Sequence, residues 1–230
     1  MIELSFTFQL IMELIYLIIL GSAFAYGACK LFKKGKPLYF QLYVIACGCR
    51  LIERLIVFAT FICGLSDKNV SVGTFLGTFS IGLFGFAANY GTLDDLVDDR
   101  SDNRNKKARR LALIVPALLT AAALWICAAY ATNISVFTGV VLFIAFTPLL
   151  ASSYYCMKHL LLPKDEFGLL DATRPCNAIV VVMYCIGIVR NILASTLLSE
   201  VALAYVSVGI FLLHALLVYF AVKGAEKWKI

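Results

Sequence analysis

Seven apolar stretches follow one another along this chain, and each is long enough, or nearly so, to cross a bilayer. They run roughly over Phe6–Phe32, Leu38–Cys63, Val72–Val97, Leu111–Ala131, Val136–His159, Leu170–Leu197 and Val201–Val222. A helical crossing needs about 20 residues. Backbone groups in hydrocarbon must be satisfied within their own segment, so each stretch is expected to be a helix. A barrel would show short alternating strands instead, and the sequence shows none. The expected fold class is therefore all-α: a polytopic membrane helical bundle of about six or seven apolar helices, with residues 1–230 as a single integral-membrane domain. Met1–Phe8 has no basic n-region, and no small-residue cleavage site follows a short apolar core. The first stretch is read as structure rather than as a signal peptide.

Composition leads to the same solvent. Hydrophobic residues make up 62% of the chain and charged residues 15%, against roughly half and a quarter in soluble domains. A water-soluble fold of this size has no interior large enough for so much apolar surface. The net charge of +6 is no nucleic-acid signal, because the cations sit in short connections between apolar stretches, where they suit lipid headgroups. Lys30, Lys33, Lys34 and Lys36 fall in the first connection, and Arg100 to Arg110 in the third. Lys158, His159 and Lys164 fall in the fifth, and Lys223, Lys227 and Lys229 end the sequence. If all seven stretches cross, this bias places the N-terminus outside and the C-terminus in the cytosol.

The second stretch, "QLYVIACGCRLIERLIVFATF", carries charge in its middle. Arg50, Glu53 and Arg54 share one helical face below Tyr43 and Cys47, while Leu51, Leu55, Phe58 and Ile62 line the other. Two readings stand open. The helix spans, and the charges pair among themselves or with Glu13, Arg190 or His214 across a polar cavity. Or it lies in the interface, with the basic stripe on headgroups and the apolar side inserted.

The third stretch presents Gly73 and Gly77 in a small-xxx-small pattern, which lets helices approach closely inside the monomer or across a homo-oligomer face. It runs into "LDDLVDDR". Asp94, Asp95 and Asp98 have the spacing with which isoprenoid enzymes hold magnesium and diphosphate. No matching second acidic motif follows; Asp165, Glu166 and Asp171 are spaced differently. The run Asp94, Asp95, Asp98 and Asp99, followed by Arg100, Arg104, Lys106 and Lys107, reads as a self-neutralising loop suited to docking.

Other chemistry is missing. The eight cysteines form no CxxC and lie mostly in apolar runs, where they act as small hydrophobes with weak S–H donors. With two histidines, His159 and His214, far from paired cysteines, neither zinc nor a disulfide framework is expected. No catalytic triad, HExxH, GxSxG or P-loop occurs, so no enzyme, cofactor or metal is expected. His214, alone in the last stretch, reads as an interhelical hydrogen-bonding group. Asp171 is placed as an N-cap, with Arg174-Pro175 in the first helical turn behind it. The sequons at Asn69 and Asn133 lie in short connections that hug the membrane and read as chance occurrences.

Three stretches, "CRLIERLIVFATF", "LFGFAANYGTLDDLV" and "LLDATRPCNAIVVVMYCIGIVRN" with "YVSVGIFLLHALLVYF", together resemble the peroxin-11 family of peroxisomal and glycosomal membrane proteins. The likeness covers most of the chain, on degenerate motifs. Tyr90, Asp94 and Asp95 fall where that family has an aromatic residue followed by Asp-Asn, so Asp94-Asp95 departs from it. The resemblance implies a non-enzymatic membrane-shaping protein in the peroxisomal or glycosomal membrane. Such a protein elongates organelles before fission, self-associates, and inserts an amphipathic helix into the cytosolic leaflet. Arg50 and Arg54 would hold headgroups, and Leu51, Leu55 and Phe58 would insert. It also implies both ends in the cytosol, hence six crossings with an interfacial second helix. The alternative, from the charges themselves, is a seven-helix transporter or receptor, for example of the plasma membrane. Its polar mid-membrane site would use Glu13, Arg50, Glu53, Arg190 and His214.

Overall fold

A computed structural model describes residues 6–33, 35–64, 80, 82–84, 87, 103–130, 136–162, 169–195 and 200–227. Gly73, Gly77, Asp94, Asp95, Asp98, Asp99 and both sequons lie outside these residues. Among the described residues there are six long helices: α1 (Phe6–Leu31), α2 (Leu38–Ile62), α3 (Asn103–Tyr130), α4 (Val136–Leu161), α5 (Leu169–Ser195) and α6 (Glu200–Lys227). The all-helical class expected from the apolar stretches is what the chain adopts here.

Among the described residues three helical stretches are long and apolar enough to cross a membrane: Phe6–Leu31, Asp171–Arg190 and Val201–Lys227. That is fewer than the six or seven expected. α2 is 25 residues long, but Arg50, Glu53 and Arg54 interrupt its apolar run. The surface is what lipid would require. Ile18, Leu118, Trp125, Val189 and Leu212 all stand exposed on the outside of the bundle, a cost in water that hydrocarbon removes.

α1 and α2 form an antiparallel hairpin. Gly35, at φ +84°, turns the chain between them. Pro37 precedes α2 in extended backbone (φ −61°, ψ 134°), and the Gln41 side chain donates to Lys36 O at 2.9 Å. Their contacts step by seven residues: the Phe6 and Phe61 rings stack, Arg54 meets Glu13, and Cys47 Sγ lies 3.8 Å from Leu20 O. A seven-residue step is the seam of two helices packed at a shallow angle. α2 therefore lies alongside α1 over its whole length. It ends at Cys63, where Gly64, at φ +61°, takes the left-handed cap conformation that glycine adopts without strain.

α6 is the hub, packed on α1, α2 and α5, while α5 also carries α3 and α4. α1 and α6 run parallel: Phe8 meets Tyr205, Tyr16 meets Phe211, and Gly27 faces Val218. α5 and α6 run antiparallel, with Arg190 at Ser207 and Cys176 at Leu217. Tyr43, Phe40, Leu20, Leu217 and Val218 fill the seam between α1, α2 and α6.

Two helix starts differ from the sequence reading. α3 begins at Asn103, so the run Arg104–Arg110, read as loop, is helical. Lysine, arginine and alanine are good helix formers, and here they outweigh the unfavourable position of cations at a helix N-terminus. α5 begins at Leu169, so Asp171 lies within its first turn and Pro175 inside the helix. Pro175 lies past the first turn, where it removes the N–H that would otherwise bond to Asp171 O. Asp171 pairs with Arg174 at 3.4 Å, and Arg174 donates to Leu162 O at 3.0 Å.

Candidate functional site

The charged face of α2 points into the bundle. Residues 50, 53 and 54 fall on one side of a helix because three and four positions nearly complete a turn. In this fold that side is the one α1 and α6 cover. Glu53 is bracketed by Arg50 and by Arg54, whose Nη2 lies 2.9 Å from Glu53 Oε1. Arg54 also reaches across to α1, with Nη1 at 3.3 Å from Glu13 Oε1. Phe211, on α6, lies beside both guanidiniums, 6.0 Å from Arg50 and 5.7 Å from Arg54 to the ring centre. Such a ring face stabilises a desolvated cation. Leu51 and Phe58 are half-buried and Leu55 is exposed on the outer side. The sequence left open whether the charges pair internally or meet headgroups; the pairing is internal, to Glu13 and within α2.

The chain of ion pairs borders a cavity of about 220 Å³ between α2, α4, α5 and α6. Arg50, Glu53 and Arg54 line one side, and Arg190, Ser207 and His214 another. Arg190 Nε donates to Ser207 Oγ at 3.1 Å, and the Ser207 hydroxyl donates onward to Leu203 O at 2.9 Å. Among the described residues no carboxylate stands within ion-pair distance of Arg190. His214 is buried, 2% exposed, with Nδ1 2.9 Å from Ile210 O. A carbonyl only accepts, so Nδ1 carries the proton, and in the neutral ring Nε2 is left as an acceptor. That Nε2 is buried and has no hydrogen-bond partner among the described residues. The hydrogen bond expected to be interhelical is thus a bond within α6, while the His214 ring lies on the cavity wall.

The remaining wall is mixed. Phe84, Val180, Met183 and Ile210 supply apolar surface, and Ser152, Ser153 and Tyr184 supply hydroxyls. Gly187 lies on the wall with open space where a side chain would begin. Sequence reasoning brought Glu13, Arg50, Glu53, Arg190 and His214 forward as members of one polar cavity. In the structure the last four line it, and Glu13 closes the ion-pair chain from a smaller neighbouring cavity of about 150 Å³. It missed Ser207, Tyr184 and the two serines of α4. Each is an ordinary small or amphipathic residue in an apolar run, and only helix packing reveals which ones face inward.

Among the described residues no group of three histidine, cysteine or acidic side chains is set to hold a metal. Family models, curated proteins and solved structures give no match to this chain.

Proposed function

We propose that this chain is a seven-helix integral membrane protein that binds a small polar ligand within the bilayer, as a transporter or receptor does. The observation that carries the reading is the inward-facing set Arg50, Glu53, Arg54, Arg190 and His214 around an open cavity. Ionisable groups at membrane depth are costly, and they persist where a cavity or a substrate path uses them. Seven crossings are supported by two features. α2 lies against a membrane-length helix from end to end. α1 and α6 are parallel, as the first and last of an odd number of crossings must be.

The membrane-shaping role implied by the peroxin-11 resemblance ranks second. It needs Arg50 and Arg54 on lipid headgroups, whereas here both are engaged by carboxylates inside the bundle. A synthetic peptide of residues 41–62 that bound and tubulated anionic vesicles at moderate salt would reverse this ranking.

The test of the ligand cavity uses the full chain in lipid nanodiscs. Thermal stability is screened against small cationic, anionic and neutral polar solutes. One class is expected to raise Tm, since a ligand binding only the folded state stabilises it by mass action. Gly187→Phe fills the cavity without removing any polar group and should cancel that rise. If no class raises Tm, or if the rise survives Gly187→Phe, the reading falls.

A further inference from the structure

Resting on the ligand-cavity reading above, we propose that the cavity has an exit toward the lysine-bearing end of the bundle. In this structure a packed layer closes that exit, and the layer parts to pass the bound solute through. The protein is then a carrier rather than a receptor.

The layer follows from helix register. Each of the four helices that line the cavity supplies a buried side chain one or two turns nearer the end that carries Lys36, Lys158 and Lys227. α2 lines the cavity from Arg50 onward and supplies Tyr43. α4 lines it with Ser152 and Ser153 and supplies Cys156. α5 lines it from Val180 onward and supplies Cys176 and Asn177, while α6 lines it as far as His214 and supplies Leu217. Tyr43, Cys156, Cys176 and Leu217 belong to one contiguous core. Tyr43 Oη lies 3.5 Å from Asn177 Oδ1, and Cys176 Sγ lies 3.9 Å from Leu217 O. Apart from Glu53, the buried residues of α2 all precede Arg50, so this helix is sealed on the lysine side of the cavity and looser beyond it.

Two features make this layer the place that parts. Its position is the first. α1, α2 and α6 pack on one another, as do α3, α4 and α5, and α5 against α6 is the main joint between the two groups among the described helices. Tyr43 and Leu217 come from the first group, and Cys156, Cys176 and Asn177 from the second. Rocking one group against the other therefore opens the layer without unpacking either, as in carriers that alternate access around a fixed site. Its chemistry is the second. The Tyr43–Asn177 contact is at the long limit for a hydrogen bond, and Asn177 Nδ2 is buried with no hydrogen-bond partner among the described residues. One turn nearer the same end, the Tyr39 hydroxyl is buried in the same condition. Half-satisfied polar groups weaken an apolar seal, and water admitted on parting would satisfy them.

Native thiols report the opening. Cys29 and Cys63 are exposed at opposite ends of the bundle, and Cys156 and Cys176 are buried in the layer. The full chain in sealed lipid vesicles is treated from one side at a time with charged, membrane-impermeant methanethiosulfonate reagents, and the modified peptides are identified by mass spectrometry. Reaction of Cys29 or of Cys63 tells which end the reagent reaches. Reagent on the Cys29 side should modify Cys176 slowly, and reagent on the Cys63 side should not. Tyr43→Ala, which hollows the layer, should speed that modification at least roughly tenfold. Tyr43→Phe combined with Asn177→Leu makes the layer wholly apolar and should slow it roughly tenfold. Tyr184→Phe, which loosens α5 from α3 outside the layer, should leave the rate unchanged. Should Tyr43→Ala fail to fold, the double replacement and Tyr184→Phe decide. Modification of Cys176 from the Cys63 side, an equal acceleration by Tyr184→Phe, no slowing in the double replacement, or no modification in any variant overturns the inference. If Cys176 stays silent while a solute raises Tm in a manner cancelled by Gly187→Phe, the exit falls and the ligand-cavity reading stands. If Cys176 reacts as expected and no solute stabilises the chain, the layer moves without a cargo, and both fall.

Discussion

Glu13 shows what one residue contributes and how much of it the sequence discloses. A carboxylate eight residues into an apolar helix is conspicuous in the sequence, and so is Arg54. Their pairing is not, because 41 positions separate them and only the antiparallel seam of α1 and α2 brings them together. Both side chains are mostly buried, so removing one partner strands charge. Glu13→Ala should cost about 2 kcal/mol, below the usual range for a broken buried pair because Glu53 still holds Arg54. Glu13→Ala combined with Arg54→Leu should cost less than the two single changes added together, a coupling that unfolding in mixed detergent would read. Additive losses would mean that the pair does not interact in solution. Tyr184 is the opposite case, silent in the sequence. Its hydroxyl donates to Pro116 O at 2.7 Å and lies 2.6 Å from Thr120 Oγ1, joining α5 to α3. Tyr184→Phe should lower stability by about 1 kcal/mol, the scale of one interhelical hydrogen bond, in the same assay.

At the scale of elements, apolar runs located the helices, but not every end or every close approach. The basic run that opens α3 and the proline in α5 look like punctuation, yet both helices continue through them. Glycine spacing in the sequence does not reveal every close approach either. Gly73 and Gly77, in a small-xxx-small pattern, lie outside the described residues, whereas Gly224, with no partner glycine at that spacing, has the closest neighbour among the described glycines. A Cβ there would fall 2.5 Å from the Phe40 ring and 2.8 Å from the backbone oxygen of Ala172 on α5. The ring can rotate; the backbone oxygen cannot move without shifting α5. Gly224→Ala should therefore destabilise by about 2 kcal/mol, as overpacking does. Gly21→Ala is the control. Nothing lies within 4 Å of a Cβ at that position, and alanine is the better helix former, so its effect should be neutral or slightly stabilising. Equal Tm losses in the two variants would show that α6 does not pack this closely on α5.

For the whole molecule, the direction of the helices decides how the ends lie. Phe6, Phe61 and Tyr205 gather at one end of the bundle. α1 and α6 leave that end side by side, so Lys227 finishes at the other. The connection bearing Lys30, Lys33 and Lys36, the start of α3, Lys158 with Arg174, and Lys223 with Lys227 all belong to this second end. The described cations thus gather toward one end of the bundle, which on the seven-crossing reading the positive-inside rule would place toward the cytosol. An even number of crossings would return the chain to the side where it began and would make the first and last helices antiparallel, contrary to the pairing of Tyr16 with Phe211 and Gly27 with Val218. Small tags fused before Met1 and after Ile230 should therefore be accessible from opposite sides of intact membranes, with the C-terminal tag on the cytosolic side. Both tags on one side would remove the seven-crossing reading and bring α2 back to the membrane surface. The cavity would lose its second helix with it, because Arg50, Glu53 and Arg54 cannot lie in the interface and line an intramembrane site at once.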